Sequence, residues 1–464
     1  MDQSHAREVE IAELLESRRM GRFQWLTLLL GSLILFVDGL DFSAINVGAP
    51  AILRAFHAER SAMGFVFSAG FVGILIGSLL FGYIGDKFGR KAGAIAGVLA
   101  YSIPALLTVF ATSLDQLAVF RFLSGLGMGG VVPNVIALLT ETAPKPYRVT
   151  FVMVAYMGYS FGNASIAQVA AWLIPSFGWT VVFATAGAVG LVLTAVLVFL
   201  LPESIAYLAA AKPGSAQLPR LVKAAAPGID FPAGTRFVLH RPTAHEKFSL
   251  KLLFTEERRF ATPLLWLGFF SESLVYMTFS AWFSVVMEQA GLAPTQAALT
   301  FSLAYVGAMA AILGLARLLD AFGPKATVIT AAGAIAAFLV LGVPGLSALA
   351  IIAAGVLAMS CSSSTHQALN GIVGGFYPTV VRSNGVGYAS GMGRAAAIIG
   401  PPIAGYLLSA NLPLQTVLAI MVSPYALVIA VCLALSRLKK KMATDAASKD
   451  TQAPGREWSP ATST

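Results

Sequence analysis

Residues 86–91 read DKFGRK and residues 320–325 read DAFGPK, an offset of 234 (320 − 86). In a later loop Pro144 to Arg148 reads PKPYR and Pro378 to Arg382 reads PTVVR, again 234 apart (378 − 144). Two short motifs in different loops that share one offset indicate a duplicated unit. Outward from each motif the sequence turns apolar, and many of these runs reach the roughly 20 residues that cross a bilayer as a helix.

With Gly, Pro and charge as punctuation, helices are predicted at 23–53, 62–84, 92–112, 115–140, 149–173 and 178–201. A second set follows at 261–288, 293–318, 324–344, 347–374, 380–409 and 414–436. The chain is 57% hydrophobic and only 11% charged, against about a quarter charged in a soluble domain. The fold class is therefore an all-α membrane protein, twelve transmembrane helices in two pseudo-symmetric six-helix halves. Residues 1–22 are expected to be a cytoplasmic N-terminal segment, 23–201 one bundle, 202–260 a polar cytoplasmic linker and 261–436 the second bundle. Residues 437–464 are expected to be a cytoplasmic tail, its RLKKK start an anchor and its end disordered.

Charge placement sets the orientation. With a cytoplasmic N-terminus, 27 of the 31 Lys and Arg fall in inner loops and termini, which satisfies the positive-inside rule. The net charge of +9 then reports topology and contact with anionic lipid, not a nucleic-acid partner. The N-terminus has no short apolar core with a cleavage site, so no removable signal peptide is read. Cys361 and Cys432, the two cysteines, both lie in apolar runs and suggest neither a disulfide framework nor a metal site. No cofactor is expected. A duplicated six-helix unit is a transporter signature, with a substrate site expected near the midplane between the halves.

The first span carries FVDGLDFSAI at 36–45. A charge in mid-membrane costs about 2.5–3.5 kcal/mol on insertion scales, so it faces a cavity or a partner. Asp38 and Asp41, three apart, share a helix face and cannot both ionise cheaply in a dry cavity. Such a pair suits loading and releasing a proton; the alternative is a structural pairing with an Arg of another helix. The same 234 offset carries Asp38 onto Glu272, which places a candidate proton-coupling acid in the seventh span.

Several stretches resemble the major facilitator superfamily, and specifically its aromatic acid:proton symporter family. GYIGDKFGRKAG (82–93) is similar to the superfamily's loop motif, and FVDGLD (36–41) to the family's paired-Asp motif. RFLSGLGMGG (121–130), LPES (201–204) and the run ending GMGRAAAIIGP (391–401) are also similar. The resemblance covers Arg22 to Pro402 and implies the major facilitator fold and proton-driven import of a small, aromatic carboxylate by alternating access. The chain departs from the family pattern at Ala321, where the second loop motif usually has Arg or Lys, at His366, where Gln is more usual, and at Glu272.

Arg394 has no carboxylate within one turn, and its planar guanidinium matches a carboxylate, so it is the candidate for the substrate's acid group; a permanent pair with Asp38 or Asp41 is the alternative. Arg121 is placed near the outer side, where it either assists anion entry or gates. Aromatic stacking on a ring is open to Phe42, Tyr156, Tyr159, Tyr276, Trp282 and Tyr388, and His366 with Asn370, four apart, gives a polar lining. Gating is assigned to Gly82, Gly85, Asp86, Gly89 and Arg90, to the repeats Asp320 and Lys325, and to Glu141, Arg148 and Arg382. Asp86 is expected to accept from a neighbouring helix N-terminus, and Glu141 to pair with Arg148 or Arg382. GYSFG (158–162) and GLGMGG (125–130) imitate a nucleophile elbow and a dinucleotide fingerprint, but lie in spans without the strand those motifs need, so an enzyme is not expected. Proton-driven export and a non-transporting membrane sensor are the rival readings; a monomer in a bacterial inner membrane is the expected setting.

Overall fold

A computed structural model describes residues 8–11, 14, 20–227, 229, 231, 235–238, 250–255, 258–323, 325–377 and 379–452. Pro378 of the second loop repeat lies outside them, as does the side chain of Asp320.

Helices fill each predicted span. The first half comprises α1 (Arg22–Ala55), α2 (Arg60–Phe88), α3 (Arg90–Leu107), α4 (Leu114–Thr142), α5 (Arg148–Phe177) and α6 (Thr180–Leu200). Two short helices follow, α7 (Ile205–Ala211) and α8 (Gln217–Ala225). The second half comprises α9 (Arg258–Gln289), α10 (Pro294–Phe322), α11 (Lys325–Leu341), α12 (Ala348–Phe376), α13 (Thr379–Ser409), α14 (Leu414–Val422) and α15 (Pro424–Gln452). Among the described residues, eight helices are long and apolar enough to cross a membrane. The last span is broken at Ser423 because Pro424 has no amide hydrogen to continue α14.

Local chemistry explains the ends. Ser113 and Ser347 accept from backbone amides at the starts of α4 and α12, satisfying donors that a helix N-terminus leaves orphaned. Gly89, at φ 113°, is the only residue between α2 and α3, and this left-handed conformation explains why a glycine reverses the chain there.

The 234 offset is visible in the packing between halves. Arg54 at the end of α1 meets Glu288 at the end of α9, 2.5 Å apart, and 288 − 54 is 234. Ser68 of α2 donates to the carbonyl of Ile398 in α13, while Ser302 of α10 accepts from Gln168 of α5 at 3.1 Å; 302 − 68 is again 234. Equivalent helices of the two repeats thus meet across a pseudo-two-fold axis. The glycine stretches that imitate enzyme motifs are packing surfaces: a Cβ on Gly125 would lie 2.2 Å from the carbonyl oxygen of Gly70, and one on Gly162 1.9 Å from that of Phe36. Only bare backbone fits such crossings.

Two segments differ from their sequence reading. The linker is not merely polar connection: Leu208, Leu218, Val222 and Phe237 bury with Ile11 and Phe23 in a small separate core. The N-terminal segment supplies β1 (Glu8–Glu10), which pairs in parallel with β2 (Arg236–Val238) of the linker. The tail continues from RLKKK as helix to Gln452, and its end, PGREWSPATST, expected to be disordered, lies outside the described residues.

Candidate functional site

Asp38 and Asp41 are both buried, at 3% and 0% exposure, on the face of α1 turned into the first half. Arg121 of α4, itself 4% exposed, donates to Asp41 Oδ1 at 3.0 Å and to Ser124 Oγ at 2.8 Å. The pairing comes from depth: Arg121 lies two turns inside α4 rather than at its mouth, level with Asp41. Arg394 is therefore not the permanent partner of Asp41. Asp38 keeps one oxygen, Oδ1, with no hydrogen-bond partner among the described residues. Next to Arg121, a small cleft between α1, α2 and α4 is lined by Phe42, Asn46, Phe67, Phe71 and Met128.

The second half repeats the arrangement with different chemistry. Glu272 of α9 is fully buried; its Oε2 lies 2.8 Å from His366 Nδ1 of α12 and accepts from Ser273 Oγ at 3.1 Å. Its Oε1 has no partner among the described residues. The His366 ring stacks on Tyr276 with centroids 5.2 Å apart, and its backbone carbonyl accepts from Asn370. Four residues after each acid stands an aromatic ring, Phe42 after Asp38 and Tyr276 after Glu272. Phe42 packs on Tyr159 at 6.0 Å, and Tyr159 lies within electrostatic reach of Asp38, Tyr276 and Tyr305. Hydroxyls thus line the way from one acid to the other.

Arg394 of α13 reaches across to the first half, where Ser78 Oγ of α2 accepts from it; Tyr156 is within electrostatic reach of both Arg394 and Asp38. Among the described residues no carboxylate pairs with Arg394. It stands where the α2–α13 seam changes character. Toward the turn at 56–59 the seam is closed: a Cβ on Gly64 would lie 2.7 Å from the Cα of Pro402. Arg60 there donates to Gln289 at 2.9 Å and to the Leu408 carbonyl at 2.8 Å, and Phe67 packs on Trp282 at 5.2 Å. Trp282 is spent on this closure, with its indole donating to the Pro401 carbonyl. Toward the linker the seam is open: a Cβ on Gly82, Gly387 or Gly391 would meet nothing within 4 Å. Tyr388, on that open stretch, stacks on Trp266 at 6.0 Å.

At the linker end the loop motif forms a polar network within the first half. Asp86 accepts from Arg90 four residues on, across the Gly89 turn. Arg90 Nε lies 3.7 Å from Glu141, whose other oxygen accepts from Ser204. So Glu141 sits with Arg90 and Ser204, not with Arg148 or Arg382; Arg382 donates to the Tyr377 carbonyl at 3.2 Å. Asp86 does not occupy a helix N-terminus either, since its side chain is 70% exposed. That place belongs to Glu203, which accepts from the amide of Lys91 at the start of α3 (3.1 Å) and from that of Ser204 (2.8 Å). The sequence signal was LPES: an acid just past α6, which returns the chain to α3. Gly85 lies against Asn134, where a Cβ would come 1.7 Å from the amide oxygen. Asp320 lies in the last turn of α10 and Lys325, exposed, begins α11.

The family model described as Major Facilitator Superfamily matches residues 31–293 and 265–463. The chain is 33% identical over 418 residues to a gallate transporter of Pseudomonas putida, covering 90% of this chain and 92% of that protein. The chain belongs to the major facilitator superfamily, in its aromatic acid transporter family. A benzoate transport protein of Acinetobacter baylyi is 31% identical, with 88% of each chain covered. Among solved structures, a D-xylose-proton symporter superposes with a TM-score of 0.70 at 16% identity, over 89% of this chain and 97% of that one. A major facilitator protein of this family is a transporter, not an enzyme, and the buried acids and the half-closed seam belong to that architecture.

Proposed function

We propose that this chain imports a small aromatic carboxylate together with protons by alternating access, and that it stands here in the state open toward the cytoplasm. The observation that carries the reading is Arg394: a guanidinium in mid-membrane, between the halves, without a paired carboxylate among the described residues, at the floor of a seam closed on one side and open on the other. A half-buried cation in mid-membrane without a counter-charge is costly, and a substrate carboxylate supplies one in the bidentate geometry that a guanidinium favours. The names of the relatives, transporters of gallate and benzoate, support an aromatic acid as substrate. Tyr159, Tyr276, Tyr388 and Asn370 are the lining candidates, while Arg121 is reserved for holding Asp41 and His366 for holding Glu272. Asp38, with a free oxygen beside the paired Asp41, is the proton carrier of the first half.

The basic loops support a cytoplasmic position for the linker and both termini in a bacterial plasma membrane. Asp86, Arg90, Glu141, Glu203 and the glycines 82, 85 and 89 then form the cytoplasmic gate, with Asp320, Lys325, Arg148 and Arg382 near it. Asp38, Arg394 and the lining candidates all lie on one chain, which supports a monomer as the working unit.

The test is uptake of labelled gallate, benzoate, 4-hydroxybenzoate and an aliphatic acid into proteoliposomes, with and without an inward proton gradient. Uphill accumulation of the aromatic acids under the gradient is expected, and Arg394→Lys should weaken apparent affinity by about 10-fold to 100-fold. Accumulation that ignores the gradient, or movement of neutral compounds alone, would overturn the reading; outward pumping would favour export.

A further inference from the structure

The Glu272–His366 pair is set up differently from Asp41–Arg121, and the difference points to a second carried proton. We propose that this pair takes up one proton in each cycle, in addition to the one on Asp38, so that import moves two protons with one carboxylate and is electrogenic. The inference rests on the proposed proton-coupled import and concerns its stoichiometry.

Glu272 is fully buried and its Oε1 is unpartnered among the described residues. His366 retains 23% of its side-chain surface exposed, so water meets the imidazole first. With Nδ1–H donated to Glu272 Oε2, the neutral ring presents Nε2 as a base. A proton arriving from water forms an N–H bond at Nε2 and turns the pair from net negative to an imidazolium–carboxylate pair of no net charge; release to water on the other side breaks the same bond, and no electrons are transferred. Arg121 has no such option, because a guanidinium does not lose its proton in a protein. Among the described residues, the titratable groups facing the pair are the phenols Tyr276 of α9 and Tyr425 of α15, with Tyr305 of α10 next to Tyr276 and Cys361 of α12 next to Tyr425. Arg394 of α13 is turned to Ser78.

The charges in the interior support two protons. Empty, Asp38 and the Glu272–His366 pair each carry one negative charge and Arg394 one positive charge, while Asp41 and Arg121 cancel. Two protons and one substrate carboxylate neutralise all three sites at once, so the loaded carrier reorients without an uncompensated buried charge.

The experiment separates potential from pH gradient. Proteoliposomes holding the full chain receive a tenfold outward potassium gradient with valinomycin and equal pH on both sides, and labelled gallate and 4-hydroxybenzoate are the probes. One net charge per cycle predicts accumulation approaching about tenfold in the wild type. Glu272→Gln should abolish this potential-driven accumulation and keep accumulation driven by a pH gradient. Glu272→Gln combined with His366→Gln, a neutral amide pair that preserves a bond between α9 and α12, should behave the same and covers the case in which the single variant fails to insert. A wild type that ignores the potential while responding to pH, or a Glu272→Gln protein that still responds to the potential, would overturn the proposal. A wild type that responds to neither gradient would instead overturn the proton-coupled reading beneath it.

Discussion

Asp38 and Glu272 occupy equivalent places in the two halves, yet the halves treat their buried acids differently. The first half adds a second acid, Asp41, and ties it to an arginine; the second half has one acid and ties it to a histidine. An arginine keeps its own charge at every working pH, so the Asp41–Arg121 pair holds helices together. A histidine leaves its partner's charge adjustable. The comparison teaches that burial at a repeated position is inherited from the duplication, whereas the choice of counter-ion decides whether that burial is structural or can take part in a cycle.

The comparison breaks most visibly at Arg121. Arg121→Ala should strand Asp41 in a dry interior and cost on the order of 3–5 kcal/mol, read as a large fall in thermal midpoint in detergent. Pairing it with Asp41→Asn should recover part of the loss; no recovery would mean that Arg121 serves something other than Asp41. Asp38→Asn tests the other acid of that half. It should remove gradient-driven uphill uptake by more than about tenfold while substrate exchange across the membrane continues, and loss of exchange as well would assign Asp38 to binding. Gly64→Val addresses the closed side of the seam. A side chain there meets the backbone of Pro402, which cannot move aside, so labelling of cysteines placed near Ser68 from the outer face should rise several-fold. The smallest effect is expected at Arg54→Ala. Its pair with Glu288 leaves Arg54 54% exposed, so stability should change by less than about 1 kcal/mol, with at most a modest increase in outer-face labelling.

Much of this was legible from residue order because the bilayer punishes exceptions. Each apolar run longer than a span had to be helix, and the basic loops had to collect on one side. The 234 offset also reached further than loop motifs, since it predicted the Asp38–Glu272 match and recurs at Arg54–Glu288 and Ser68–Ser302. Side-chain partners were less legible. LPES offered Glu203 without saying that the chain after α6 returns to the start of α3, and Glu141 had Arg90 to choose as well as the expected Arg148 and Arg382. Ser78 gave no signal at all, being one of many small residues on α2.

The sequence by itself determined a duplicated, membrane-spanning helical chain with a few ionisable residues in its interior, because hydropathy and charge placement act locally and leave a periodic record. Only the tertiary structure decided which acid meets which base and which end of the seam is closed. Those outcomes depend on the depth and rotation of helices that are far apart in the chain, where a shift of one residue turns a side chain by about 100° and exchanges one partner for another.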